Sequence, residues 1–339
     1  MKIVEPDVML ITEPDILKRI ELAGRVCYKS EDRIAEGTDL KFFNALRKRG
    51  HTSVFEHSNI VVEALEQDAY DNLCMILHDY EKKKYLDHHI RHDFWGTMVA
   101  DAVANNTSSY FSGNLRAWRN VAEAYRGEPL IHNLFADHPL FADIWEAFPY
   151  RPFVPEDFDL TATKFAKRYE SARIVPFAPG KQHNILTLRF ICSRAIANEI
   201  VRHRTLSFSQ ESTRYVDVSN LEVTEPWWMR GEEASLTEHQ SEALRTEFLN
   251  AMGDDEFYYS TMILTGARPQ LARTVLPQET KCELIATGTI LDWERFLDLR
   301  LGAGAHPDIR YLAKKVKDIV DLEAEKTDNW MNPRPDNPY

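Results

Sequence analysis

The chain has 339 residues, 44% of them hydrophobic and 28% charged, enough for one large domain or two smaller ones and for a sizeable core. A formal net charge of -12 argues against a nucleic-acid coat, which has to be basic to neutralise phosphates. No apolar run approaches the ~20 residues of a membrane helix, and the mix of charge, proline and apolar residues over Met1 to Met9 is unlike a signal peptide.

In chain order, Thr12 to Tyr28 is predicted as a helix. Thr12 is the N-cap, Pro14 sits near the first turn, and Ile16, Ile20, Ala23 and Cys27 recur at helical spacing. Asp39 to Arg49 is a second helix ended by Gly50. His51 to His57 is a polar turn that feeds a strand over Asn59 to Leu65. Asp68 to Tyr85 and Asn114 to Tyr125 are helical, the latter with Leu115, Trp118 and Val121 on one side. Pro139 to Phe158 is a packed irregular segment rich in proline and aromatics.

His183 to Cys192 alternates as a half-buried strand, with Leu186, Leu188 and Phe190 on one face and Thr187 and Arg189 on the other. Ser193 to Val201 follows as a helix carrying Ile196 and Ile200. Further helices are predicted over Glu238 to Met252, Pro269 to Leu276, Leu291 to Leu299 and Asp308 to Leu322. Helices and strands mix without a regular βα repeat, so the fold class is α+β. There is no Gly/Ser linker and no internal repeat. The reading is one catalytic domain over 1–339 with an insertion at about 76–182 and an extended tail at 328–339.

Cys27, Cys74, Cys192 and Cys282 are scattered without a CxxC pair, which disfavours a zinc ribbon or a disulfide framework and fits reduced thiols in the cytoplasm. His88 and His92 stand at an i, i+4 spacing that can hold zinc. No HExxH and no third ligand accompany them, so no metal is assigned and the run reads as a solvated helix face.

The densest chemistry lies in Arg202-His203-Arg204-Thr205-Leu206-Ser207-Phe208-Ser209-Gln210-Glu211-Ser212-Thr213-Arg214-Tyr215. Three guanidiniums and six hydroxyl side chains fall within fourteen residues, read as largely a loop. Guanidinium forks suit bidentate phosphate binding, and hydroxyls add directional hydrogen bonds. From charge alone, Arg202 and Arg204 could equally complement a helix C-terminus.

Arg202-His203-Arg204, then Ser212 and Arg214, resemble the RHR-x7-S-x-R signature of the flavin-dependent thymidylate synthases. Five specified positions match a chain of this length by chance in well under ~1% of cases. His51-Thr52-Ser53-Val54-Phe55-Glu56-His57 resembles the family's HxS-x-x-EH segment, and Ala272-Arg273-Thr274-Val275-Leu276-Pro277 its ARxxLP segment. Thr287-Gly288-Thr289 with Trp293 and Phe296 to Arg300 resembles its TG…W..FLxLR segment. Ala305 to Arg310 resembles the stretch beyond. The likeness covers about 12–75 and 183–322.

The resemblance implies a twisted, mainly antiparallel sheet flanked by helices, assembled as a homotetramer with active sites between subunits. It implies reductive methylation of dUMP to dTMP with FAD, NADPH and methylene-tetrahydrofolate. Ser53, Arg202, His203, Arg204, Gln210, Thr287, Gly288 and Thr289 fall at flavin-contacting positions. Glu199, Arg202, Gln210, Glu211, Ser212, Arg214, Arg273 and Arg300 fall at nucleotide-binding ones. Arg300 is the catalytic residue implied to orient the uracil and stabilise charge on it. Ser212 is assigned to binding, because family members need no enzyme nucleophile. His203 would orient flavin rather than transfer a proton, and His51 and Glu56 could either bind ligand or brace their turn.

Two positions depart from the pattern. Ser209-Gln210 stands where many members have Asn-Glu, and Arg295 where some have a flavin-binding Asn. No GxGxxG fingerprint is present. Two alternatives remain open: a hydroxymethylase acting on dUMP or a related pyrimidine nucleotide, and a non-catalytic nucleotide-binding protein. In the latter, Trp227-Trp228 could stack on bases, although such pairs commonly pack.

Overall fold

In the computed structural model, residues 1–86, 99–102, 109–147, 172–176, 178, 180–231 and 236–331 are described. The expected metal-spaced pair His88 and His92, and most of the Pro139 to Phe158 segment, lie outside them.

The strands are β1 (Lys2–Val4), β2 (Asp7–Leu10), β3 (Ile60–Ala64), β4 (Val99–Ala102), β5 (Ser109–Gly113), β6 (Ala172–Val175), β7 (Ile185–Ser193), β8 (Ser207–Gln210), β9 (Glu222–Thr224) and β10 (Lys281–Thr289). The helices are α1 (Ile16–Tyr28), α2 (Thr38–Lys48), α3 (Gln67–Leu86), α4 (Leu115–Ala124), α5 (Pro129–Phe135), α6 (Ala142–Ala147), α7 (Arg194–Ile200), α8 (Glu238–Leu264), α9 (Pro269–Ala272), α10 (Ile290–Arg300) and α11 (Pro307–Met331). Short 3-10 turns cover Thr52–Glu56, Trp227–Arg230 and Arg273–Val275. The α+β class expected from the sequence is what the chain adopts.

The chain divides into two compact units, one of Met1–His57 with Leu186–Lys326, the other of Ser58–Ile185 with Thr327–Tyr339. The first is built on a four-stranded sheet of order β2-β7-β10-β8. β2 runs antiparallel to β7, with Val8 opposite Phe190, and β8 antiparallel to β10, with Phe208 opposite Ala286. A parallel pair, β1 and β9, stands apart from it. Leu188, Phe190, Trp293 and Phe296 are fully buried in its core. Trp293 stacks on Phe190 and donates its indole N–H to the Leu186 carbonyl at 3.1 Å, satisfying the one polar atom it buries. Ile309, Leu312, Val316 and Val320 of α11 join the same core at helical spacing.

The second unit holds a sheet of order β4-β5-β3-β6, antiparallel throughout. Asn114 caps α4 by accepting from the Ala117 amide at 2.8 Å. Leu115, Trp118 and Val121 are fully buried, as their spacing predicts, and Trp118 donates to the Ile60 carbonyl at 3.0 Å.

Several local expectations are corrected. Asp15, not Thr12, caps α1, accepting from the Lys18 amide at 3.0 Å. Gly50 does follow α2 and takes φ 72°, a conformation that favours glycine. Thr187 is buried rather than outward, because β7 is an inner strand covered on both faces. Ser207–Gln210, read as loop, is strand β8, since its backbone finds partners on β10. α8 runs to Leu264, twelve residues past Met252, and α11 continues to Met331, into the tail expected to be extended.

Gly288, near the end of β10, allows the closest approach: a Cβ there would stand 2.3 Å from Leu206 Cδ2, on a buried leucine. Gly288→Ala should therefore cost ~1–3 kcal/mol of stability through overpacking. An unchanged urea midpoint would show that Leu206 has room to move.

Candidate active site

Every residue singled out as a candidate lies in the first unit. The best-defined group is built around Arg300, the last residue of α10. Its Nε donates to His203 Nε2 at 2.8 Å, its Nη1 to Glu199 Oε2 at 2.7 Å and its Nη2 to the Glu199 carbonyl at 2.8 Å. Glu199 sits in the last turn of α7, and His203 follows in the turn that leaves it. The helix thus presents a side-chain carboxylate and a backbone carbonyl to one guanidinium fork. Three of the five N–H groups of Arg300 are used, so it is held in place with two still able to donate.

Arg300 also fixes the chemistry of His203. Burial, then the guanidinium charge, lowers the imidazole pKa to about 4, so it is neutral at neutral pH. Because Nε2 accepts, the proton sits on Nδ1, which remains a donor. The ring packs on Phe296 at a centroid distance of 4.7 Å.

A second group joins three strands. His57 is completely buried; its Nδ1 lies 2.8 Å from Thr287 Oγ1 and its Nε2 2.9 Å from Ser209 Oγ. Thr287 in turn donates to Thr187 Oγ1 at 2.9 Å. Each ring nitrogen thus meets a hydroxyl, which can donate or accept, so the neutral ring is satisfied on both sides. Burial, then the charge of Arg19, pushes the His57 pKa down to about 3. Thr289 is spent as the N-cap of α10, in a capping box with Asp292. The hydroxyls of Thr287 and Thr289 are thus engaged within the chain.

The third group surrounds Glu211, which is buried. Its amide donates to the Glu283 carbonyl at 2.8 Å, and its carboxylate accepts from the Glu283 amide at 3.1 Å. Burial raises the Glu211 pKa, and nearby Lys29 and Lys281 pull it back. Burial would likewise raise Glu283, but hydrogen bonds from Lys281, Lys29 and Arg189 outweigh it and hold that carboxyl down at about 2. Gln210 Nε2 donates to Cys282 Sγ at 3.2 Å, and the Ser212 amide donates to the Cys27 carbonyl at 3.0 Å.

The remaining arginines face outward. Arg214 donates to Gln270 Oε1 at 3.3 Å, three residues before Arg273. Arg202, Arg204, Arg214 and Arg273 are exposed and form no ion pair among the described residues. Such guanidiniums suit phosphate oxygens and the pyrophosphate of a dinucleotide. Ser53 is exposed on its 3-10 turn, and no hydrogen bond links it to the other candidates among the described residues. Arg295 is turned to Asp292 Oδ1 at 3.1 Å. Trp228 packs edge-on against Phe248 at 5.9 Å.

Sequence reasoning missed Lys29, Arg189, Lys281 and Glu283, and did not give His57 a role. His57 is visible in the HxS-x-x-EH resemblance. The charged four carry no local signal, since Lys29 and Glu283 meet across 254 positions of sequence.

The α+β scaffold sets one guanidinium between a carboxylate and a neutral imidazole and leaves further guanidiniums exposed, donors of a kind that suits anions. Residues 9–69 and 181–324, more than half of the chain, match the family described as thymidylate synthase complementing protein, and the chain belongs to that family. It is 34% identical over 137 residues, 36% of the chain, to a flavin-dependent thymidylate synthase of Corynebacterium efficiens. It is 24% identical over 328 residues, 89% of the chain, to one of Aquifex aeolicus, and 33% over 127 residues, 36% of the chain, to one of Mycolicibacterium gilvum. The chain spans about half the length of the first and third of these relatives, 51% of each, and 93% of the Aquifex one. No described helix is long and apolar enough to cross a membrane. Among the described residues, no three His, Cys, Asp or Glu side chains gather as a metal site.

Removing the guanidinium beside His203 should raise that pKa from about 4 toward 6.5, because one of its two depressing causes is gone. An NMR titration of the imidazole in Arg300→Ala checks this; an unmoved midpoint would mean that burial alone sets it.

Proposed function

We propose that this chain is a flavin-dependent thymidylate synthase that converts dUMP to dTMP. The observation that carries the reading is the Arg300 guanidinium, preset by Glu199 and His203 in the unit that carries nearly all of the family match.

In this reading Arg300 uses its two remaining donors on the uracil ring and stabilises negative charge developing there. Glu199 holds Arg300 in place before substrate arrives, so little reorganisation is needed at the reacting ring. Arg214, Ser212 and Arg273 take the nucleotide phosphate, with Gln210 and Glu211 shaping the loop and Arg202 at its start. Arg202, Arg204 and the Nδ1–H of His203 face FAD, together with Ser53, Gln210 and the Thr287–Thr289 segment. With both hydroxyls of that segment engaged in the fold, its contribution comes through backbone and shape.

FAD reduced by NADPH supplies the hydride that ordinary side chains cannot carry, and methylene-tetrahydrofolate supplies the carbon. The exposed, unpaired guanidiniums fit such anionic ligands. The functional form is a homotetramer with active sites between subunits, in the cytoplasm, where four unpaired cysteines are at home. The insertion at about 76–182 has a structural role, because its apolar and aromatic residues pack, as Trp118, Phe135 and Phe141 do.

Incubation of dUMP with the protein, FAD, NADPH and methylene-tetrahydrofolate should yield a nucleotide heavier by one methylene group, and only when all three are present. A gain that includes an extra oxygen would assign a hydroxymethylase. Intact dUMP with flavin-loaded protein would leave only binding. Arg214→Ala should weaken dUMP binding by ~1.5–3 kcal/mol, the scale of a charge-assisted hydrogen bond; an unchanged dissociation constant removes it from the phosphate site.

A further inference from the structure

Lys29 is, among the described residues, the one non-glycine in the left-handed backbone region, at φ 49°. It closes the C-terminus of α1, its amide donating to the carbonyls of Arg25 and Val26. Glycine is the usual residue there, because a Cβ is strained in that conformation. What glycine cannot supply is an ammonium. Lys29 Nζ pairs with Glu283 and stands 3.9 Å from Glu211 Oε2 and 3.8 Å from Glu31 Oε1.

The other cations around this pair are each shared with a further carboxylate. Lys281 Nζ lies 2.8 Å from Glu283, 3.1 Å from Glu222 and 4.0 Å from Glu211. Arg189 Nε donates to Glu283 at 2.8 Å, and its Nη2 lies 3.4 Å from Glu31. Lys2 shares Glu222 at 3.1 Å. Glu211, Glu283, Glu222 and Glu31 thus rest on Lys29, Lys281, Arg189 and Lys2. Glu211 and Glu283 are both buried and bonded backbone to backbone, so they cannot separate without unzipping β8 from β10.

We propose that Lys29 is a positioning residue for the nucleotide loop: its ammonium offsets the charge of the buried Glu211–Glu283 pair and so holds Glu211 and Ser212 against the end of α1. The Ser212 amide is already bonded there, to the Cys27 carbonyl two residues before Lys29. This role rests on the reading of Glu211, Ser212 and Arg214 as the dUMP loop. The left-handed strain is tolerated because the side chain is needed. Without Lys29, one of the two cations that lower the Glu211 pKa is gone, so Glu211 takes up a proton at higher pH.

Calorimetric titration of the flavin-loaded full-length protein with dUMP, at several pH values, tests it with Lys29→Gly, Lys29→Gln and Lys29→Arg. Lys29→Gly and Lys29→Gln should bind dUMP ~10-fold or more weakly, and their binding should fail at a higher pH than wild type as the solution is acidified. Lys29→Arg should restore both properties. In turnover the loss should fall on KM for dUMP rather than on kcat. Should Lys29→Gly not fold, the comparison of Lys29→Gln with Lys29→Arg decides. Wild-type affinity in Lys29→Gly or Lys29→Gln would reduce Lys29 to a helix cap and overturn the proposal. Wild-type protein that does not bind dUMP would overturn the loop assignment itself, and this role with it.

Discussion

His57 has no exposure to solvent, and both of its ring nitrogens are used inside the fold. A buried imidazole with an unmet donor or acceptor costs ~1–3 kcal/mol per group. Here Thr287 and Ser209 meet both, and Thr187 completes the chain of hydroxyls. Thr287 lies opposite Ser207 in the β8–β10 register, so Ser209 is its diagonal neighbour on the same face. The network crosses β7, β10 and β8 and anchors the turn of Thr52–Glu56 to them. Displacing it would loosen at once the Ser53 turn, the start of the arginine loop and the Thr287–Thr289 segment.

The electrostatics of the site follow from where burial leaves charge. His57 and His203 are both held neutral, in each case by burial first and a neighbouring arginine second. Positive charge is therefore carried by guanidiniums, which do not titrate near neutral pH, and by the ammoniums of Lys29 and Lys281. Arg300 is braced and half committed, while Arg202, Arg204, Arg214 and Arg273 are exposed. A chain with a formal charge of -12 thus still exposes guanidiniums that form no ion pair among the described residues.

Much of this was legible in the sequence where the signal is local. The Arg202 to Arg214 spacing and the burial of Leu115, Trp118 and Val121 needed only short windows. β10 was not legible, because a strand buried on both faces shows no alternation, and Glu283 within it looks polar until its three cationic partners are assembled. β8 was hidden by its own hydroxyls, which suggest a loop when their pairing with β10 is unknown. Ser53 could be picked out as a motif position, but its local structure gives no link to the other candidates. The length of α8 escaped because its apolar residues do not keep to one face, with Leu244, Phe257, Tyr258 and Leu264 exposed, leaving little periodicity to follow.

An NMR titration of the ring nitrogens of His57 in the intact protein tests the assembly most directly. A folded-state pKa of about 3, against 6.5 for an ordinary imidazole, means that between those values the fold binds fewer protons than the unfolded chain. Its contribution to stability is then complete above 6.5 and is lost as the pH falls toward 3. The buried network predicts a neutral ring that does not titrate while the protein stays folded in mild acid. A ring that titrates near 6.5 would contradict the buried network on which the placement of the motif segments depends.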